Sequence, residues 1–301
     1  MIFSFFSSFP FAAGLFTNST DGLAEKFYLE KYKLDVTPAE WTFYQAALIY
    51  FWQSLWLTYG VFSICRRTGD SFLYTMFPVM PPILYVVFSF SLACNVSWLL
   101  IWDKEYMEVA LVFVNLMSCT LYICLVVSLR RLNEFGELLY SYDLMREVWI
   151  NRILVQNGLA MFAVWGTVAA MFNFAIVLTY RTGADQGVAS TVSLSIFIIE
   201  IMVWWIFDNF VFEKYFRYLF TPYFVLLVSI AGIIAKNWDP EKMNAIFTLL
   251  VFATVAVLTI VKITLSCWRH KHRPLYVNSA QHYDRPCSTF EVRGLLHEQR
   301  S

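Results

Sequence analysis

Charge is what this sequence has least of. Asp, Glu, Lys and Arg make up 15% of its 301 residues, where a soluble domain carries about 25%. The formal net charge is zero, so the basic surplus expected of a nucleic-acid binder is missing. Histidine is also sparse where chemistry would need it. All four, His270, His272, His282 and His297, fall in the last stretch of the chain. There is no H-E-x-x-H, no Gly-x-Ser-x-Gly elbow and no phosphate-cradling glycine loop. These absences exclude the usual hydrolase and nucleotide-binding signatures. The expectation is a protein that is not an enzyme, with no cofactor, no metal and no nucleic-acid partner.

What is abundant is apolar and aromatic. The chain is 59% hydrophobic and 19% aromatic, with 11 Trp and 29 Phe, the composition of a bilayer protein with aromatic belts. Apolar runs near twenty residues long predict an all-α, polytopic fold with seven transmembrane helices at about 43–65, 75–101, 106–129, 152–179, 187–212, 216–236 and 244–268. Residues 1–42 read as an extracellular or lumenal segment, 43–268 as the transmembrane domain and 269–301 as a cytoplasmic, disordered tail. Thr37-Pro38-Ala39-Glu40 reads as a helix start, with Thr37 as cap.

Lys and Arg set the expected orientation. With the N-terminus outside, inner segments hold 11 of them and outer segments 7. An external N-terminus also exposes Asn18-Ser19-Thr20, an N-glycosylation acceptor. The six cysteines avoid the outer loops, so disulfides are not expected. Cys65 and Cys267 precede Arg66 and Trp268-Arg269 at the inner edge, where lipidation occurs.

Two loops share a pattern. Trp102-Asp103-Lys104-Glu105-Tyr106-Met107 and Trp238-Asp239-Pro240-Glu241-Lys242-Met243 are both W-D-x-E-x-M, 136 residues apart. That offset aligns spans one to three with five to seven, a 3+1+3 parallel pseudo-repeat like the architecture of SWEET transporters. Convergence is the favoured explanation of the pattern: Trp anchors at an interface, Asp caps, and Glu favours a first turn.

Polar residues at membrane depth are the candidates for function. Glu200 is the one acid near mid-span, and Trp204 and Asp208 follow at intervals of four, sharing its helix face. An acid there is costly unless it meets a cavity or a partner. Glu200 is expected to bind a ligand or ion, with Trp204, Asn95, Asn115 and Asn173 as candidate companions; the alternatives are a protonated, structural Glu200 bonded to an Asn of another span and a Trp204 that only packs. Each Asn also has a plain structural use, bonding a neighbouring helix. Asp208 and Lys262 fall at similar depth near the inner surface, which suggests an ion pair.

Ser128-Leu129-Arg130-Arg131 ends span three where rhodopsin-like receptors carry Asp-Arg-Tyr, and span seven lacks Asn-Pro-x-x-Tyr. Asn95-Val96-Ser97-Trp98, followed by Ala110-Leu111, resembles part of the pattern of the Trp-rich translocator-protein group. The likeness covers a small part of the chain, and that group has five spans where seven are expected here. No residue role is carried over from it.

The residues therefore predict a membrane protein that binds or transports a small molecule or ion around Glu200. The alternatives are a receptor-like sensor outside the rhodopsin class, or an accessory subunit. The lipid bilayer is the expected partner, together with an unidentified ligand and a homo-oligomeric or accessory chain.

Overall fold

A computed structural model describes residues 31–68, 71–72, 77–273 and 275–276. Asn18, Cys287 and the tail beyond 276 lie outside the described residues. Within them the fold is all-α. Helices α1 (Tyr44–Cys65), α2 (Pro82–Asp103), α3 (Met107–Ser141), α4 (Met145–Tyr180), α5 (Gln186–Val211), α6 (Thr221–Asn237) and α7 (Met243–His272) follow in chain order. A two-residue antiparallel pair, Arg67–Thr68 with Ser71–Phe72, is the extended structure among the described residues.

Six helices are long and apolar enough to cross a membrane; α6, with 17 residues, is shorter. At 1.5 Å per residue it covers about 25 Å, against a hydrocarbon core of about 30 Å. It starts later than the apolar run suggests because Pro222 must sit in a first turn. Residues 213–220 before it form the short helix Glu213–Phe216 and a connecting turn. Likewise α2 begins at Pro82, not near 75. Helix α3 continues past 129 to Ser141 because Leu132, Phe135 and Leu139 find a second core against Phe77, Val79 and Val148. The end nearest Thr37 also differs from expectation. A 3-10 turn begins at Glu40 without a side-chain cap, and the Thr37 hydroxyl instead accepts from the Leu34 N–H at 2.8 Å.

Helix α4 is the centre. In its most apolar stretch 61% of residues are buried, against 28% in α5 and in α7. It packs against α1, α3, α5 and α6. Small residues permit this, since close helix approach needs little side chain at the crossing. A Cβ added at Gly166 would lie 2.6 Å from Met117 Cε of α3, inside contact distance. The outward faces carry exposed apolar side chains, Val112, Ile199, Val257 and Ile260 among them, as a lipid-facing surface requires.

The two W-D-x-E-x-M stretches both open a helix, but they are used differently. Met107 is 1% exposed and Met243 is 77% exposed. Glu105 meets Lys31, Tyr32 and Arg181, whereas Glu241 donates its backbone N–H to Asp239 Oδ1 at 3.1 Å.

Residues 31–39 close the Glu105 end of the bundle. Leu34 and Val36 are buried, Tyr32 packs edge-on to Tyr180 at 5.0 Å, and Asn244 donates to Asp35 Oδ2 at 2.9 Å. Hydrogen bonding by Lys31, followed by its charge, a hydrogen bond from Tyr32 and the charge of Arg181, holds the Glu105 carboxyl below its ordinary range.

Candidate functional site

Helices α3 and α5 both pack on α4, and the space between them is an open cleft of about 510 Å³. Helix α4 forms its floor with Thr167, Ala170, Met171 and Phe174. One wall is α3, with Asn115, Ser118, Cys119 and Tyr122; the other is α5, with Ser193, Glu200 and Trp204. Tyr122 and Trp204 bridge the walls, their rings 5.7 Å apart. Tyr122 and Thr167 share a hydrogen bond at 3.1 Å.

Glu200 is exposed into this cleft, and no hydrogen bond or ion pair engages its carboxylate among the described residues. It stands 14 residues beyond Gln186, about 21 Å along a helix of ordinary rise, just past the midpoint of α5. Asn115 is exposed and donates to Leu111 O at 2.8 Å within its own helix, leaving its carbonyl side open. The Trp204 indole nitrogen and the Ser193 hydroxyl are buried without a partner. Glu200 and Asn115 are therefore exposed polar groups that an occupant of the cleft can reach.

The other sequence candidates go elsewhere. Asn95, on α2, donates to the Tyr50 hydroxyl of α1 at 2.8 Å. Asn173, on α4, has its amide set by α3: oriented to suit its neighbours, it donates to Met107 O at 3.1 Å and accepts from Leu111 N at 3.3 Å. Asp208 lies in a π-helical turn, Phe207–Val211, that ends α5. Its Oδ1 is 2.5 Å from Lys262 Nζ, and Tyr223 donates to its Oδ2 at 2.5 Å. Lys262 also donates to Phe216 O at 3.0 Å. This group ties α5, α6 and α7 together and does not line the cleft. Cys65 and Cys267 are exposed free thiols near helix ends.

Residue patterns gave no hint of Tyr122, Thr167, Ser118 or Cys119. They are ordinary residues of an apolar run, and only the crossing of α3 over α4 brings them opposite Glu200. Glu147 also went unread: it is buried, paired with Arg66, and accepts from the Tyr59 hydroxyl at 2.5 Å. Its helix starts seven residues before the apolar run, so the hydrophobic pattern gives no sign of it.

A family model described as TSPO-like protein matches residues 2–263. The chain belongs to the TSPO-like family. No curated protein and no solved structure matched it. Family membership and the apolar helices together make this TSPO-like chain an integral, multi-pass membrane protein in contact with the lipid bilayer.

Proposed function

We propose that this TSPO-like protein takes a small amphipathic molecule from the bilayer into the cleft between α3 and α5 and binds or passes it on there. Glu200 meets a cationic or hydrogen-bond-donating group of that molecule. The observation that carries this reading is an unpaired carboxylate at mid-span, exposed to an open cleft. A carboxylate at that depth is tolerated when it faces a cavity or a charge partner. Around it, Leu111, Phe174, Ile196, Phe197 and Phe207 suit a hydrocarbon body, and the Trp204 and Tyr122 rings suit a cation. Binding or transfer is favoured over catalysis because no histidine lines the cleft; His270 and His272 stand in the last turn of α7. The same reading takes α6 as a seventh crossing and the N-terminus as external, which fits the crowding of Arg66, Arg152, Arg217 and Arg269 toward one end of the bundle.

The test is equilibrium binding to the purified protein in nanodiscs. The probe is a long-chain tertiary amine and the control its neutral amide counterpart. Wild type should prefer the amine. Glu200→Gln should lower amine affinity about tenfold to a hundredfold, the value of a charge-assisted bond, and leave amide binding unchanged. Equal amine binding by wild type and Glu200→Gln would remove Glu200 from the site.

A further inference from the structure

A second site is built at the opposite end of α4 from the Glu105 loop. Arg152 stands in the π-helical turn Asn151–Gln156 and is 5% exposed. Three rings surround its guanidinium, with centroids at 4.3 Å for Tyr218, 5.1 Å for Trp149 and 5.4 Å for Tyr276. Nη2 donates to the Tyr276 hydroxyl at 3.2 Å. Among the described residues that is its one side-chain hydrogen bond, and no carboxylate pairs with it.

Other buried charges are treated differently. Lys262 faces Asp208, Arg217 faces Glu213, and Glu147 faces Arg66. A buried charge is ordinarily paired, and losing the partner is costly. The aromatic cage offsets part of that cost for Arg152, but among the described residues Nε–H, both Nη1 hydrogens and one Nη2 hydrogen find no acceptor. The surroundings add positive charge. Arg217 acts on Arg152 electrostatically, and the Glu213 carboxylate is occupied by Arg217 at 2.5 Å. The Tyr218 hydroxyl is bonded to His270 Nδ1 at 2.8 Å, in the run Arg269-His270-Lys271 that ends α7. Tyr276 is seated firmly as a wall, because Gly136 leaves room for it. A Cβ there would come within 2.7 Å of its ring.

Nη2 keeps one hydrogen beside its bond to Tyr276, which with Nε–H or Nη1–H makes one parallel pair of donors, and such a pair matches two oxygens of a phosphate. We propose that Arg152 is the centre of a binding site for a phosphate-bearing anion, held between Trp149, Tyr218 and Tyr276. Basic, Trp-lined ends of membrane bundles are where lipid headgroups are met, so the phosphodiester of an anionic lipid and free phosphate are the two sources of this chemistry. The site is separate from the Glu200 cleft and does not depend on its function.

The experiment is native mass spectrometry and thermal unfolding of the full chain in detergent, with phosphatidylglycerol, phosphatidylcholine or inorganic phosphate added. Phosphatidylglycerol should bind and raise the unfolding temperature more than phosphatidylcholine does. Arg152→Gln should weaken that binding about tenfold or more. If Arg152→Gln fails to fold, Arg152→Lys keeps the charge without the fork and should also bind more weakly than wild type. A matching rise with inorganic phosphate alone, lost in the same variants, assigns free phosphate as the source. Three results would overturn the proposal: no response of wild type to either anion, equal binding by wild type and the Arg152 variants, or an equal loss in Lys271→Gln, which changes an exposed surface charge.

Discussion

Asp208 and Lys262 show what a charge needs in order to be kept inside this molecule. Both side chains are 1% exposed, and each has further polar neighbours, Tyr223 for the acid and Phe216 O for the lysine. Removing one partner strands the other. Lys262→Met alone should destabilise the protein by about 3–5 kcal/mol, while Asp208→Asn with Lys262→Met should cost clearly less than the two single changes summed. A double-mutant cycle on thermal or denaturant unfolding reads this, and strict additivity would contradict it. Glu105 is the exposed counterpart. Its carboxyl is held below the ordinary value of 4.5, first by the Lys31 hydrogen bond. A depressed folded pKa contributes stability that is present above the unfolded value and lost as pH falls through the folded one. The unfolding temperature should therefore drop as pH falls below about 4.5, and Glu105→Gln should flatten that part of the profile. An unchanged profile in the variant would place the acid sensitivity elsewhere. The sequence made these residues visible unequally. Asp208 and Lys262 stood out because charge is rare in apolar runs. Arg152 and Glu147 were hidden because they looked like charges flanking a span, and burial at a helix end has no signature in residue type.

At the scale of the element, α4 decides the architecture. Its glycines and alanines let four helices approach, and its position explains why it is the most buried. Gly166→Val would drive a methyl into Met117 and Ser118. The expected cost is about 1–3 kcal/mol, as for other overpacked contacts, with a weaker amine affinity because Ser118 and Thr167 lie on the same α3–α4 seam. Thermal unfolding and the amine titration check both parts; a neutral outcome would mean the helices are free to separate there. The existence of the helices was legible, since runs of apolar residues near twenty long have few other readings. Their ends were less so. Prolines at 82 and 222 moved two starts inward, while Leu132, Phe135 and Leu139 carried α3 well past its last membrane-length stretch. The π turns at Asn151–Gln156 and Phe207–Val211 leave no mark in hydrophobic pattern, yet they aim Arg152 and Asp208.

For the whole molecule, the Glu200 cleft exists because α3 and α5 lean on a common neighbour and not on each other along their length. That is a property of three helices, and no single stretch encodes it. Sequence singled out Glu200, Trp204 and Asn115, which the fold brings to one cleft, together with Asn95 and Asn173, which it spends on helix contacts. Depth along a span is readable by counting residues; the direction a side chain faces across a bundle is not. The same geometry supplies an internal reporter, because Cys119 is exposed on the α3 wall across from Glu200. The most direct test is the rate at which an apolar maleimide alkylates Cys119, mapped by peptide mass with Cys65 and Cys267 as internal references. A saturating long-chain amine should slow labelling of Cys119 several-fold in wild type, leave Cys65 and Cys267 unchanged, and lose its effect in Glu200→Gln. Equal labelling of Cys119 with and without the amine, or protection that survives Glu200→Gln undiminished, would contradict a ligand site centred on Glu200.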